Sequence, residues 1–467
     1  MTTDELELSI ASKMEGAGVG RPTIQSFLSA VRQVKSGEQG MITEGSIESV
    51  GGLPRLGDLA AAEEADSGLL RELAVIKLNG GLGTSMGLER AKSLMPVKGD
   101  SSFLDFIACQ VLHLRGGHRE PGFYLMNSFS TREDTLAALE KYPELGLGEP
   151  LDFLQNKVPK LAADSLIPVD WEADRELEWC PPGHGDIYAA LADSGLMDRL
   201  LARGIRVLFV SNADNLGATV DLRLLKHFVS SGLSFLMEVA DRTEADRKGG
   251  HLARRKSDGR LLLRESAQAL KSESEAFQDV TKYAYFNTNN LWIRLDHLKA
   301  EMQRLGGALP LPLIINRKTV DPKLPDSPAV LQLESAMGAA IECFDRSGAV
   351  AVGRERFAPV KTTADLLGVR SDAFRVTDDH RLVLDERRAG RPPLLDLDGR
   401  YYRVMSQFEA AFGGDIPSLI ECDSLKVEGA FRFSPGVVLR GRVVLRNSGG
   451  AVVTVPAGTY DGIEKTW

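Results

Sequence analysis

The stretch AVIKLNGGLGTSMGLERAKSLMPVK, from Ala74 to Lys98, holds residues whose types and spacing suit the binding of a phosphate chain. A short apolar run ends at Leu78, breaks into Gly80, Gly81, Gly83 and Gly87, and is followed by Lys92. Glycine backbone reaches positive φ and brings its N–H groups against an anion with no Cβ in the way. Lys92 adds a mobile point charge. Two familiar phosphate loops are excluded by counting. GxGxxG would need a glycine where Met86 stands, and no Gly-Lys-Ser/Thr follows the cluster.

Three other groups of residues have chemistry to offer. In Glu178–Asp186, EWCPPGHGD, two prolines stiffen the approach to Gly183 and Gly185, which flank His184 with permissive backbone and present its imidazole at a loop apex. Asp214, in Asn212-Ala213-Asp214-Asn215, follows a buried apolar run and is a hard oxygen ligand of the kind Mg2+ uses. Asn287 and Asn289 fall on one face of an alternating strand, giving paired amides suited to sugar hydroxyls. Each has a plain alternative: a structural histidine, a helix-capping aspartate, an asparagine turn.

These residues need a scaffold, and the pattern around them is that of an α/β domain. Strands are predicted at Ala74–Leu78, Gly122–Met126, Arg206–Ser211, Phe235–Val239 and Tyr285–Ile293, and helices at Phe103–Leu114, Thr131–Tyr142 and Gln332–Ile341. Ligands in open α/β sheets sit beyond the carboxyl ends of strands, so the loops after Leu78 and Ser211 are expected at one site. Residues 1–66 read as a helical N-terminal segment, residues 67–400 as the catalytic domain, and residues 401–467 as a β-rich tail. In that tail short apolar runs separated by glycines suggest a β-solenoid.

The string LNGGLGTSMG resembles the nucleotidyltransferase signature of the eukaryotic-type UDP-glucose pyrophosphorylases, and PPGHGD, NADN and PVKTTADLL resemble further motifs of that family. The resemblance implies a Rossmann-like, mixed-sheet nucleotidyltransferase domain with a C-terminal left-handed β-helix. It implies that UTP and glucose-1-phosphate give UDP-glucose and pyrophosphate, with Mg2+ as cofactor. Carried over by motif, Lys92 and Lys361 are the catalytic lysines and Asp214 the metal ligand. The nucleotide is expected at Leu78, Asn79, Gly80, Gly81, Lys92, Met126, Gln155, Gly183, Asp214 and Lys361, with Gln155 reading the uracil edge. The sugar phosphate is expected at His184, Asn212, Glu238, Gly250, Asn287 and Asn289. His184 is expected to donate hydrogen bonds, because a phosphate nucleophile is already anionic. One departure stands out: Arg90-Ala91-Lys92 replaces the Gly-Pro-Lys of many members, which loosens the approach to the lysine.

Composition sets outer bounds. The 467 residues are 43% hydrophobic and 26% charged, an ordinary globular balance. A net charge of −9 argues against nucleic acid as the main partner. Four scattered cysteines form no CxxC pair, and no signal peptide or bilayer-length apolar run is present, so a cytoplasmic location is expected. The solenoid tail is the expected place for homo-oligomer contacts. Alternatives stay open: a pyrophosphorylase for galactose-1-phosphate or N-acetylglucosamine-1-phosphate, an NAD(P)-dependent oxidoreductase, disfavoured by the failed GxGxxG, and a non-catalytic nucleotide sensor.

Overall fold

Leu73–Asn79 is buried at nearly every position, the pattern of a strand covered on both faces. In the computed structural model, which describes residues 2–38, 40–116, 118, 120–146, 148, 150–413 and 415–467, it lies inside a ten-stranded mixed sheet. It pairs in parallel with Val207–Asn212 and with Gly122–Asn127, and Asp152–Leu154 extends the parallel set. Tyr285–Arg294 runs antiparallel to both Val207–Asn212 and Phe235–Asp241, and Ser347–Val352 joins the latter in parallel. The loops after Asn79, Asn127, Leu154, Asn212, Asp241 and Val352 therefore all leave from one edge.

Side-chain alternation divides the core between the two faces of the sheet. Val75, Leu125, Phe209 and Trp292 pack on one face with Phe103 and Ile107 of the helix Phe103–Arg115. Ala74, Ile76, Met126, Leu208 and Val210 pack on the other with Ile187, Leu191, Leu200 and Leu298. The helix Phe103–Arg115 starts at a capping box between Ser102 and Asp105 and stops at Gly116 in the left-handed region.

The N-terminal helices, Thr3–Gly16 and Arg21–Lys35, bury Leu6, Ile10, Phe27 and Val31 against Leu161, Leu313, Leu331 and Leu333. Their floor is a separate three-stranded sheet made of Leu161–Ala162, Leu313–Thr319 and Ala329–Ser335. From Ser36 to Asp66 the regular elements are short 3-10 turns and the two-residue strand Ile47–Glu48. The helix expected at Gln332–Ile341 is not formed. Leu313–Thr319 supplies an antiparallel partner that draws Gln332–Ser335 into a strand, and only the short 3-10 turn Met337–Glu342 follows. Met337–Ile341 is buried throughout, so it has no solvent face for an amphipathic helix to present.

The C-terminal strands pair in parallel: Leu394–Leu397 with Ser418–Glu428, that strand with Val437–Arg446, and Phe431–Phe433 with Val453–Val455. The set thus takes its first strand from before residue 401. Its interior residues, Leu425, Phe431, Leu439 and Val443 among them, belong to the same continuous apolar cluster as Phe103 and Phe209. No helix among the described residues is long and apolar enough to cross a membrane.

Candidate active site

The glycine loop leaves the end of Leu73–Asn79 and makes a 3-10 turn, Thr84–Met86, closed at both ends by glycine: Gly83 at φ 68° and Gly87 at φ 71°. A Cβ on Gly83 would meet Leu88 Cδ1 at 2.8 Å and the Lys92 stem at 3.3 Å, so the glycine is what lets the loop fold back over Lys92. Lys92 N donates to Gly81 O at 3.0 Å, and Lys92 Nζ lies 2.6 Å from Asp214 Oδ2 across the cleft. Both side chains keep some exposure, 15% and 24%, and remain accessible to a ligand. Gly81 faces open space.

Lys361 reaches the same place through a network around Asn215. Val360 N donates to Asp214 O at 3.3 Å, Ala358 N to Asn215 Oδ1 at 3.0 Å, and Asn215 Nδ2 to Arg356 O at 3.1 Å. The side chain of Lys361 is itself exposed, with its ammonium 5.9 Å from the Phe357 ring. The two lysines and Asp214 therefore share one end of the sheet although 269 positions separate Lys92 from Lys361 in the chain.

A second wall is built from Gly80, Gln155 and Gly183. Gln155 N donates to Asn127 O at 2.7 Å, and its Nε2 donates to Gly183 O at 3.0 Å. A Cβ on Gly80 would come within 2.8 Å of Gln155 Oε1, and one on Gly183, at φ 81°, within 2.5 Å of Ser335 O. Gly183 excludes a side chain, and one on Gly80 would push the Gln155 amide aside. Beside them His184 Nδ1 accepts from Met337 N at 3.0 Å, which puts the proton of the neutral ring on Nε2 as a donor. Burial pushes its pKa down to about 4, so the ring is neutral near pH 7.

Asn287 and Asn289 do come together, by a route that alternation does not provide. The register with Phe235–Asp241 slips between Glu238 and Val239, so that Asn290 faces Glu238 while Asn287 faces Val239. The extra residues form a bulge with Asn289 at φ 59°. Asn287 Nδ2 then donates to Asn289 Oδ1, and Asn289 N to Asn287 Oδ1, each at 2.8 Å. Gly338 lies against this pair, since a Cβ there would sit 2.7 Å from Asn287 Nδ2. Asn212 is half-buried at the end of its strand, and Leu78 O accepts from Ala213 N at 3.0 Å.

Three of the expected residues turn their side chains away from the site. Glu238 is fully buried, and its carboxylate accepts from Arg356 at 2.6 and 2.8 Å, Trp292 Nε1 at 2.9 Å and Asn290 Nδ2 at 3.1 Å. It has no lone pair turned to the cleft; it holds the Lys361 segment in place. Met126 is 2% exposed and points into the core with Ile76 and Tyr124. The side-chain amide of Asn79 is spent on Asn127 Oδ1 at 2.8 Å and Thr135 Oγ1 at 3.0 Å, so it braces the loop from beneath.

The sequence reading also passed over Glu265. Its carboxylate lies directly against Gly250, where a Cβ would meet Oε2 at 2.5 Å. Burial raises its pKa and the nearby Lys361 charge opposes that shift. Arg356 was likewise missed. Glu265 stands in no motif and Arg356 only at the start of the Lys361 stretch, where no role attaches to it; the folded chain alone brings Glu265 to Gly250 and Arg356 to Glu238.

The donor set has a bearing on Mg2+. Among the described residues no group of three or more His, Cys, Asp or Glu side chains could hold a metal. A lone hard carboxylate at a strand end, Asp214, is nevertheless what Mg2+ takes when substrate phosphates and waters complete its shell. The residues fit that mode and not an all-protein cage.

An edge carrying a glycine loop, two lysines and the Asp214 carboxylate is built to hold and neutralise phosphates, which puts the chain in the class of α/β nucleotidyltransferases. The profile of the UTP–glucose-1-phosphate uridylyltransferase family matches residues 24–440. The Saccharomyces cerevisiae enzyme of that name is 42% identical over 392 residues, covering 84% of this chain and 77% of the yeast one, and that of Solanum tuberosum is 40% identical over 84% and 80%. The crystal structure of a point mutant of UDP-glucose pyrophosphorylase from Leishmania major in complex with UDP-glucose superposes with a TM-score of 0.94, at 44% identity over all of both chains. A Trypanosoma brucei UDP-glucose phosphorylase gives 0.90 at 48% identity, over 99% of this chain and 100% of that one. The chain belongs to the UTP–glucose-1-phosphate uridylyltransferase family.

Proposed function

We propose that the protein joins UTP and glucose-1-phosphate into UDP-glucose and pyrophosphate, reversibly. A phosphate oxygen of glucose-1-phosphate attacks the α-phosphorus of UTP in line; the new P–O bond forms as the bond to the β-phosphate breaks and pyrophosphate leaves. Such chemistry rests on positioning and charge neutralisation. The observation that carries the reading is the meeting of Lys92, Asp214 and the Lys361 segment at one sheet edge, with Lys92 Nζ 2.6 Å from Asp214 Oδ2.

In this reading Gly80, Gly81 and Lys92 hold the triphosphate, and the Gln155 amide reads the donor and acceptor edge of uracil between Gly80 and Gly183. Lys361 neutralises charge developing around the α-phosphate. His184 donates through Nε2 to the sugar phosphate and moves no proton. Asn287, Asn289 and Glu265 take the sugar hydroxyls, with Gly250 leaving room for them. Asp214 would hold Mg2+, which when bound supplies Lewis-acid charge to the phosphates. Lys92, which pairs with Asp214 at 2.6 Å, would then be free to turn its ammonium to the triphosphate.

The finer architecture belongs to the same proposal. The successive parallel pairings from Leu394 onward support a left-handed β-helix at the C-terminus. Self-association, where it occurs, uses the outer edge of this coil near the exposed Val452; light scattering on the wild type and Val452→Arg tests it, and an unchanged oligomer in the variant would contradict it. The acidic balance and absence of a membrane-length helix among the described residues support a cytoplasmic enzyme with small-molecule partners.

Specificity is read by pyrophosphate release with UTP, CTP, ATP, GTP or dTTP paired with glucose-, galactose- or N-acetylglucosamine-1-phosphate. Release is expected with UTP and glucose-1-phosphate above every other pair. A better rate with another sugar would move the substrate assignment, and silence with all pairs would overturn the catalytic reading in favour of a sensor.

A further inference from the structure

We infer that Asn156 and Asp186 form a clamp that sets the position of Gln155 and thereby the enzyme's choice of nucleotide base. The inference rests on the reading of Gln155 as the base-recognising residue. Gln155 is the first residue past the strand Asp152–Leu154, anchored on one side by its own N–H to Asn127 O. What fixes the other side is Asn156. Its backbone N donates to Asp186 Oδ2 at 2.7 Å, and its side-chain Nδ2 lies 3.1 and 3.2 Å from the two oxygens of the same carboxylate. One residue is thus gripped by backbone and side chain together.

Asp186 lies three residues after Gly183, whose carbonyl accepts from Gln155 Nε2. The clamp and the glutamine contact therefore tie the same two loops at adjacent points, beside the glutamine that reads the base in this proposal. The carboxylate is 5% exposed and Asn156 is its hydrogen-bonding partner. It stands at the start of the helix Ile187–Asp193, and Asp193 at the helix's other end accepts from Thr23 Oγ1 at 2.6 Å, so the clamp is rooted in the N-terminal helix Arg21–Lys35. Burying an ionisable carboxylate is costly, and both Asp186 and Asp193 have pKa values raised chiefly by burial. A carboxyl group offers two oxygens and accepts in two directions at once, which fixes the angle of the loop as well as its distance. Hydrogen bonds to a base edge weaken steeply with misalignment, so angle is what selection among bases requires. Asn156 and Asp186 are positioning residues, acting through Gln155.

The test compares steady-state kinetics of Gln155→Ala, Asn156→Ala and Asp186→Asn with UTP and with CTP. For Asn156→Ala the expected result is a KM for UTP raised about tenfold, a kcat and a KM for glucose-1-phosphate within about twofold of wild type, and a UTP-over-CTP preference reduced about tenfold. Asp186→Asn keeps an acceptor of the same shape and is expected to move the same parameters less; if Asn156→Ala fails to fold, this variant decides, a reduced UTP-over-CTP preference supporting the clamp and an unchanged one overturning it. Relaxed base choice in Gln155→Ala but not in the clamp variants would overturn the clamp alone. Unchanged base choice in Gln155→Ala would overturn the base reading, and the clamp with it. A fall in kcat with UTP KM and base preference unchanged would make the pair a plain structural support.

Discussion

At the scale of single residues, the loop Gly183–Asp186 sets two titrating groups of opposite tendency on either side of Gly185. Burial lowers His184 to about 4 and raises Asp186 to about 7. For His184 the folded value lies below the unfolded one, so its contribution to stability is present above roughly pH 6.5 and is lost as pH falls through about 4. For Asp186 the folded value lies above, so its contribution is fully present below roughly pH 3.9 and is lost as pH rises through about 7. Melting temperatures from pH 4 to 8 are expected to show Asp186→Asn gaining on the wild type as pH rises. A difference that stays constant across that range would contradict the linkage. His184 was legible in the sequence because glycines and prolines advertise a presented side chain. Asp186 closes the same motif, yet its partner Asn156 lies thirty positions back, and only the fold joins them.

Among the elements, the strand Phe235–Asp241 shows how the sequence supplied a correct strand and a wrong role. Alternation identified it, but which of its faces meets substrate depends on neighbours that alternation does not name. Glu238 turned out to face Arg356, and the bulge that unites Asn287 and Asn289 begins opposite it. The helix expected at Gln332–Ile341 failed for a related reason: an apolar run reads as helix or strand until the partner strand is known. The Glu238–Arg356 pair has side-chain exposures of 0% and 7% and links the sheet to the Lys361 segment. Removing one partner of a buried pair leaves the other uncompensated, typically at about 3–5 kcal/mol. Glu238→Ala is therefore expected to lose stability on that order in chemical denaturation and to lower kcat by displacing Lys361. A stable variant whose only defect is a raised KM for glucose-1-phosphate would restore Glu238 to the sugar site.

Over the whole molecule, the C-terminal coil is fastened to both lysine-bearing segments. A Cβ added to Gly87 of the phosphate loop would lie 3.1 Å from the Val404 side chain, and Thr363, two residues after Lys361, donates to Tyr402 O. Tyr402 in turn donates to Gly429 O at 3.0 Å and accepts from Phe431 N at 2.8 Å. The tail thus packs against the two segments that carry Lys92 and Lys361. Its β-rich character was plain from the glycine-spaced apolar runs, whereas this packing was invisible because it joins residues distant in the chain. All of these supports converge on one claim, that Lys361 is held where charge develops during transfer to the α-phosphate. The direct measurement is UDP-glucose formation by wild type and Lys361→Ala at saturating UTP and glucose-1-phosphate, with melting temperatures alongside. Turnover is expected to fall about 10²–10³-fold, the loss seen when one donor to a developing charge is removed, while the exposed position leaves the melting temperature unchanged. Near-normal turnover in a folded Lys361→Ala would contradict the claim.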